Sequence, residues 1–330
     1  MKDQNGNIGY NVGVRVDYDS DKPHAYGQGA ANQASFCGMY PFTFDTRDLR
    51  MDVTCVPYKY NTELNQEPDF GGNAVAGWGC GKWNKIKMGG SLSSAQGSTG
   101  INNIRLRYAD VLLMYAEVEN EITGAPTQAA RDALKEVRRR AFSAADHSEM
   151  VDGYVDALVG HDDFFEALKN ERAWEFGGEG IRKYDLARWG IYGQTIRQLY
   201  DRFIDWGLRA TGSGVRGDVR DRIYYQEVSN PSLAGKTMLE FKGLKEYGDA
   251  IGDHTGWKFV DYGRAWWGEG RNEYEGIMVP CNEVMWSFRG YVNYNNASSV
   301  TGIEPIRYLA PYPSDVITTH RGTIAQQYGY

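Results

Sequence analysis

Alternation of apolar and polar positions is short and often broken over the first 100 residues. NVGVRV at 11–16, VTCVPYKY at 53–60 and KWNKIKM at 82–88 read as half-buried strand fragments, separated by Gly, Asn and Pro clusters. From residue 101 the period becomes helical. INNIRLRYADVLLMYAEVENEI, 101–122, sets Ile104, Tyr108, Val111, Leu112 and Tyr115 in one stripe and Leu106, Ala109, Leu113 and Ala116 in a second. A helix apolar on two sides is expected to lie between neighbours, with Tyr108, Met114 and Tyr115 in the core. Gly124 and Pro126 end it, and 127–142 forms the next helix, with Ala130, Leu134, Val137 and Ala141 on one side. The short connection predicts an antiparallel pair. Arg138-Arg139-Arg140 read as a solvated helix end beside the negative pole of the dipole.

A second pair follows. FFEALKNERAWEF, 164–176, comes after His161, Asp162 and Asp163, whose acidic groups suit a helix start. It breaks at Gly177-Gly178, and helical periodicity resumes over 180–189 and 191–206. Two Ala-rich helix pairs in about 100 residues predict tetratricopeptide-like packing, although the pairs share little sequence. After Gly207 the chain reads as loop-rich to about residue 302, and YLAPYPSDV at 308–316 opens a proline-bounded end. The expected fold is therefore mainly α with loop-rich and small β regions. It divides into a loop/β region at 1–100, helix pairs at 101–206 and a loop-rich region at 207–330, together one compact unit.

Composition narrows the function. A net charge of −7 argues against a nucleic-acid backbone as the main partner. No run of about 20 apolar residues is present, so no helix is expected to span a membrane. MKDQNGNIGYNVGVRV lacks the basic-then-apolar order of a signal peptide. Cys37, Cys55, Cys80 and Cys281 make no CxxC pair and the five His are scattered, so no metal site and no cofactor are expected. The cysteines read as buried thiols, with one disulfide among the first three as the alternative in an oxidising compartment. There is no nucleophile elbow and no phosphate loop.

Glycine, 40 of 330 residues, stands at roughly twice its usual ~7%, alongside 23 Tyr and 9 Trp. WKFVDYGRAWWGEGRNEYEG, 257–276, concentrates this character, with Trp257, Tyr262, Trp266 and Trp267 beside Arg264 and Asn272. An exposed indole or phenol ring covers the C–H face of a pyranose while polar neighbours take its hydroxyls. Trp266 and Trp267 are adjacent, so on an extended segment only one faces a ligand. The competing reading is that these rings cover the underside of a long loop. Trp78 and Trp83 in GWGCGKW form a second candidate plate, and Tyr40 with Phe36 a third.

Glu171, Arg172, Glu175, Arg182, Asp185 and Arg188 interleave acids and guanidiniums on successive helices. That pattern reads as a structural ion network locking helix to helix rather than as acid/base machinery.

Several of these segments, in this order, resemble the SusD/RagB family of nutrient-binding outer-membrane lipoproteins. They are TFDTRDLR (43–50), KWNKIK (82–87), LRYADVLLMYAEVENEITG (106–124) with ALKEVRRRA (133–141), NERAWEFGGEGIRKYDLARWG (170–190), and YLAPYPSDV with TIAQQYGY. The resemblance implies a SusD-like fold, a noncatalytic role in binding oligosaccharide or polysaccharide, and delivery to a SusC-like TonB-dependent transporter. It also implies a surface-exposed position at the outer membrane through a lipid anchor absent from these residues. Members usually begin with that anchor and a helical half, so the chain reads as a C-terminal portion. Three other functions compete: a peptide- or protein-binding member of the fold, a helical-repeat interaction scaffold, and, least favoured, a glycoside hydrolase.

Overall fold

The computed structural model describes residues 12–19, 21, 36, 38–70, 78–87, 104–199, 202, 222–246, 248–260 and 262, and the backbone of the strands at 271–274 and 277–280. The chain divides into two units. One comprises 1–72, 77–182 and 224–259, and the other 73–76, 183–223 and 260–330.

The first unit is organised on three helices: α2 (Tyr108–Thr123), α3 (Gln128–Arg139) and α4 (His161–Glu175). A single turn, α1 (Arg50–Thr54), precedes them. Gly124 adopts a left-handed φ of 70° and its N–H caps Asn120 O, which ends α2 where the sequence supplies a residue without Cβ. The Thr127 side chain accepts from the Ala130 N–H at 3.1 Å and starts α3. Asp162 and Asp163 lie in the first turn of α4, where the helix dipole favours negative charge. Ala109, Leu113 and Ala116 of α2 pack on Ala130, Leu134 and Val137 of α3 and on Phe164 and Leu168 of α4. Alanines at the contacts let the helix backbones approach closely. The α2–α3 hairpin is the antiparallel pair that the short connection predicts.

The stripe of α2 that carries Tyr108, Val111 and Tyr115 departs from expectation. Tyr108 is 65% exposed, Tyr115 45% and Ile122 78%, and Val111, Met114 and Val118 are exposed as well. Tyr108, Met114 and Tyr115 are thus surface residues and not core. Among the described residues, α3 and α4 cover α2 on one side only, and 3.6-residue periodicity turns 108, 111, 115, 118 and 122 away from that side. The arginine run is corrected at one position only, since Arg139 and Arg140 are exposed as expected. Arg138 is buried, because α3 ends against a π-turn at His147–Gly153 rather than in solvent.

Small sheets frame the helices. β1 (Cys55–Val56) pairs antiparallel with β4 (Gly79–Cys80), and β2 (Tyr58–Tyr60) with β3 (Gln66–Pro68). Val14, Val16, Val56, Tyr60 and Ile86 form their core. The expected strand at 82–88 is instead a 3-10 turn, Gly81–Trp83, followed by further turns. Conversely, the stretch read as loop after 207 holds a three-stranded sheet. Its order is β6 (Thr237–Lys242), β5 (Ile223–Ser229), β7 (Lys258–Val260), with β5 and β6 joined as a hairpin.

In the second unit, the 183–188 part of α5 (Arg182–Arg188) leads into α6 (192–199), with Leu186, Tyr192 and Ile196 buried. A hairpin of β8 (Arg271–Tyr274) and β9 (Ile277–Pro280) completes its described part.

Candidate functional site

The β5–β6–β7 sheet has two contrasting faces. Side chains alternate along β5, and the register sets Tyr225 opposite Phe241 and Tyr224 opposite Lys242. On the inner face a chain of aromatic rings anchors the sheet. Tyr225 contacts Phe241 at 6.5 Å between centroids, Phe241 contacts Phe70 at 6.3 Å, and Phe70 meets Trp78 edge-on at 5.7 Å. Phe42 closes on the other side of Trp78 at 6.0 Å.

The outer face carries an aromatic ledge. The Tyr224 ring lies 4.0 Å from the His254 ring and 6.1 Å from Phe259, which is 47% exposed. Half-buried Trp257 lies 4.8 Å from the Lys242 ammonium, which also donates to the Asp253 carbonyl. An Asx turn, with the Asp253 carboxylate accepting from the Thr255 N–H at 2.9 Å, shapes the loop that delivers His254 and Trp257. That bond holds the Asp253 carboxyl below its usual range. His254 Nδ1 lies 2.8 Å from the Gly252 carbonyl, which can only accept, so Nδ1 carries a proton and, in the neutral ring, Nε2 is the acceptor. Gln226 donates to Glu240 at 2.9 Å beside the rings. The ledge therefore combines flat apolar faces with an ammonium, an imidazole acceptor and an amide–carboxylate pair, a mixture suited to a ring with polar edges.

The sequence-selected aromatics separate accordingly. Trp257 is on the ledge. Trp78 is fully buried and serves as the sheet's anchor, not as a plate. Trp83 is also buried, with Nε1 donating to Gly178 O at 2.9 Å. Tyr262 is buried as well. Tyr40 stacks on Phe36 at 4.8 Å and spends its hydroxyl on Ala173 O at 2.7 Å, so it fastens the end of α4. Burial raises its phenol pKa well above the usual value. Trp78, Trp83 and Tyr262 are thus corrections, being buried rather than exposed plates, and Trp83 and Tyr40 each spend a polar tip on a backbone carbonyl. Asn272 lies in β8, paired with Val279. Arg264, Trp266 and Trp267 lie outside the described residues. Tyr224, His254, Phe259 and Lys242 were absent from the selected set. The alternation in IYYQEVS and TMLEFK was the signal that would have brought in Tyr224 and Lys242.

Glu171 and Glu175 lie in one network joined by Arg50, and their partners differ from those the spacing suggested. Glu171 accepts from Arg50 and Arg138, each at 2.6 Å. Glu175 accepts from Arg107 and Arg140 at 2.6 Å and from Arg50 at 3.0 Å. Arg172 pairs with Asp110 at 2.7 Å, Arg182 donates to Lys169 O at 2.8 Å, and Arg188 pairs with Asp185 at 3.0 Å. The acids of α4 are thus met by cations from α1, the start of α2 and the end of α3. Burial works against ionisation of Glu175, but Arg107 and Arg50 outweigh it and hold the carboxyl below its usual pKa. A carboxylate so held is a poor general acid. Leu49 and Val53 rim a cavity of about 420 Å³ above this network.

A larger cavity, about 660 Å³, lies between the β1–β3 strands and the β5–β6 hairpin, lined by Met51, Cys55, Tyr58, Tyr60, Leu239 and Phe241 among others. Its size falls within the range of small-ligand sites. Among the described residues no group of three or more His, Cys, Asp or Glu could hold a metal ion.

The SusD family model matches residues 40–330. A SusD-like protein of Formosa agariphila is 43% identical over 104 residues, 31% of this chain and 18% of that protein. The crystal structure of a SusD homolog from Bacteroides thetaiotaomicron aligns with a TM-score of 0.48 at 25% identity, covering 59% of this chain and 39% of that one. The chain thus spans under half the length of either relative.

Proposed function

Because the chain belongs to the SusD family, whose model matches residues 40–330, we propose that it is a nutrient-binding protein that captures oligosaccharide on the outer face of the β5–β6–β7 sheet. SusD family proteins are binding proteins, typically cell-surface lipoproteins, and no helix among the described residues is long and apolar enough to cross a membrane. In this reading the chain performs no chemistry. It holds glycan at the cell surface and passes it to a SusC-like TonB-dependent transporter.

The observation that carries the reading is the ledge of Trp257, Tyr224, His254 and Phe259 left open to solvent on a sheet whose other face is anchored in the core. Sugar C–H faces stack on the rings by dispersion, while Lys242, His254 Nε2 and Glu240 take hydroxyls. The anchored inner face holds the rings in place before ligand arrives, which lowers the ordering cost of binding. Arg264, Trp266, Trp267 and Asn272 remain candidate glycan contacts on the strength of the sequence.

A glycan array followed by titration calorimetry on the best ligand tests this. Binding that falls roughly tenfold in Trp257→Ala, with the thermal midpoint unchanged, is the expected result. No binding to any polysaccharide, or full affinity in a Trp257→Ala/Tyr224→Ala variant, overturns it. Binding to peptides but not glycans would move the protein to the peptide-binding reading. Released reducing sugar would make it a hydrolase.

A further inference from the structure

Cys55 and Cys80 are buried free thiols in this structure, as the sequence suggests, and we propose that oxidation joins them in a cross-strand disulfide. The two residues are direct partners in the β1–β4 register, so their side chains leave the same face of the ladder. The backbone shows which kind of pair this is. The Cys80 N–H donates to Val12 O at 3.2 Å, and the Cys55 N–H donates to Met51 O at the end of α1. Neither amide faces the other strand, so Cys55 and Cys80 are a non-hydrogen-bonded pair. Such pairs place their Cα atoms about 4.5 Å apart with the side chains closest. That separation lies at the short end of the window, about 4.4–6.8 Å, that a disulfide requires.

Both residues are buried, at 3% and 1% exposure. A Cβ built on Gly178 would lie 2.5 Å from Cys80 Sγ, so the turn after α4 seals this sulfur. Burial pushes the Cys80 thiol up to about 11 and Cys55 well above its usual value, leaving the folded dithiol a poor nucleophile. The bond therefore forms while the chain folds, before the Gly177-Gly178 turn closes.

The chemistry is thiol–disulfide exchange. One cysteine thiolate attacks an external disulfide and expels a thiol, and the second cysteine then attacks the mixed disulfide. The two protein sulfurs are oxidised together, and the external disulfide is reduced to two thiols that take up the two protons. In vitro the oxidant is oxidised glutathione, so the test does not depend on where the protein resides or on what it binds.

The reduced, unfolded full chain is refolded with a glutathione redox couple, blocked with an alkylating agent and mapped by mass spectrometry without reduction. The expected product is lighter by two hydrogen atoms before alkylation, with a peptide pair joining Cys55 to Cys80 and two of the four cysteines still alkylated. The oxidised chain should resist urea better than the reduced chain, by roughly a hundredfold in the folding equilibrium. Cys80→Ser should abolish that difference. Four alkylated cysteines in the folded product overturn the proposal, as does a link from either residue to Cys37 or Cys281. An unchanged redox effect in Cys80→Ser overturns it too. If that variant does not fold, the wild-type peptide map decides.

Discussion

Arg138 donates to Glu171 at 2.6 Å with both side chains sealed from solvent. The guanidinium also donates twice to Met150 O, at 3.1 and 2.9 Å, and lies 3.9 Å from the centre of the Tyr154 ring. The other Glu171 oxygen is held by Arg50. A buried charge pair this fully satisfied fixes how α3, α4 and α1 meet, whatever its net worth against an apolar alternative.

Removing one partner leaves the other charge buried and unmatched. Arg138→Ala and Glu171→Ala are each expected to lose about 3–5 kcal/mol of stability by urea denaturation. A paired apolar replacement, Arg138→Met with Glu171→Leu, should lose less than the two single losses added together.

The two stripes of α2 should respond oppositely to truncation. Leu113→Ala empties a position with no solvent exposure and is expected to cost about 2–5 kcal/mol. Tyr115→Ala and Ile122→Ala remove exposed rings and branches and should stay within about 0.5 kcal/mol of wild type. Chemical denaturation of the three variants at one pH checks both halves. A large loss at Tyr115 would show that something beyond α3 and α4 covers that face.

That contrast shows what was legible in the sequence. Periodicity located α3, α4 and the end of α2 to within a few residues, because caps such as Thr127 and Gly124 are local signals, whereas α2 starts at Tyr108, well after the expected residue 101. It could not say which of two apolar stripes on α2 is covered, since that depends on elements distant in sequence. The same limit governs the rings. Trp78 and Trp257 both sit near glycines in polar surroundings, yet Trp78 is pulled inward by Phe42 and Phe70 while Trp257 stays at the surface under Lys242. Arg50, Arg107 and Arg138, which neutralise the α4 acids, lie 33 to 125 residues away from them. No spacing rule on α4 could have assigned them.

Lys85 gives a pH signature. Burial lowers its ammonium from 10.5 to about 8 in the folded chain. Between those values the unfolded chain holds a proton that the folded chain does not, so stability rises with pH over that window. Above about 9 the net trend reverses. The Cys55 and Cys80 thiols and the Tyr40 and Tyr58 phenols are raised by burial, so the unfolded chain loses those protons first. Urea midpoints of the reduced wild type should climb from pH 7.5 to about 9, and the climb should flatten in Lys85→Met.

Gly178 and Gly180 share a left-handed backbone, φ 79° and 81°, but not a neighbourhood. A Cβ at Gly178 would strike Cys80 Sγ at 2.5 Å, whereas nothing lies within 4 Å of one at Gly180. Gly180→Ala is expected to cost only the backbone penalty of about 1–2 kcal/mol. Gly178→Ala adds the displacement of a buried sulfur and should cost visibly more, read as a lower thermal midpoint than its neighbour's.

Trp78 and Trp257 separate folding from capture. Trp78 is enclosed by rings that anchor the β5–β6–β7 sheet, so Trp78→Ala is expected to lose about 3–5 kcal/mol of stability. Any ligand affinity lost with it would follow from disorder of the sheet. Trp257 is half-buried and contacts Lys242 across a surface turn, so Trp257→Ala should fold with an urea midpoint near wild type. Its glycan dissociation constant should nevertheless rise roughly tenfold, since a stacking face is lost while the polar rim survives. Trp257→Phe keeps a smaller face and should fall between the two. If glycan affinity tracks stability across all three variants, the ledge acts only as part of the fold. If it follows ring area at position 257 while stability stays constant, the outer face of the sheet is where sugar is held.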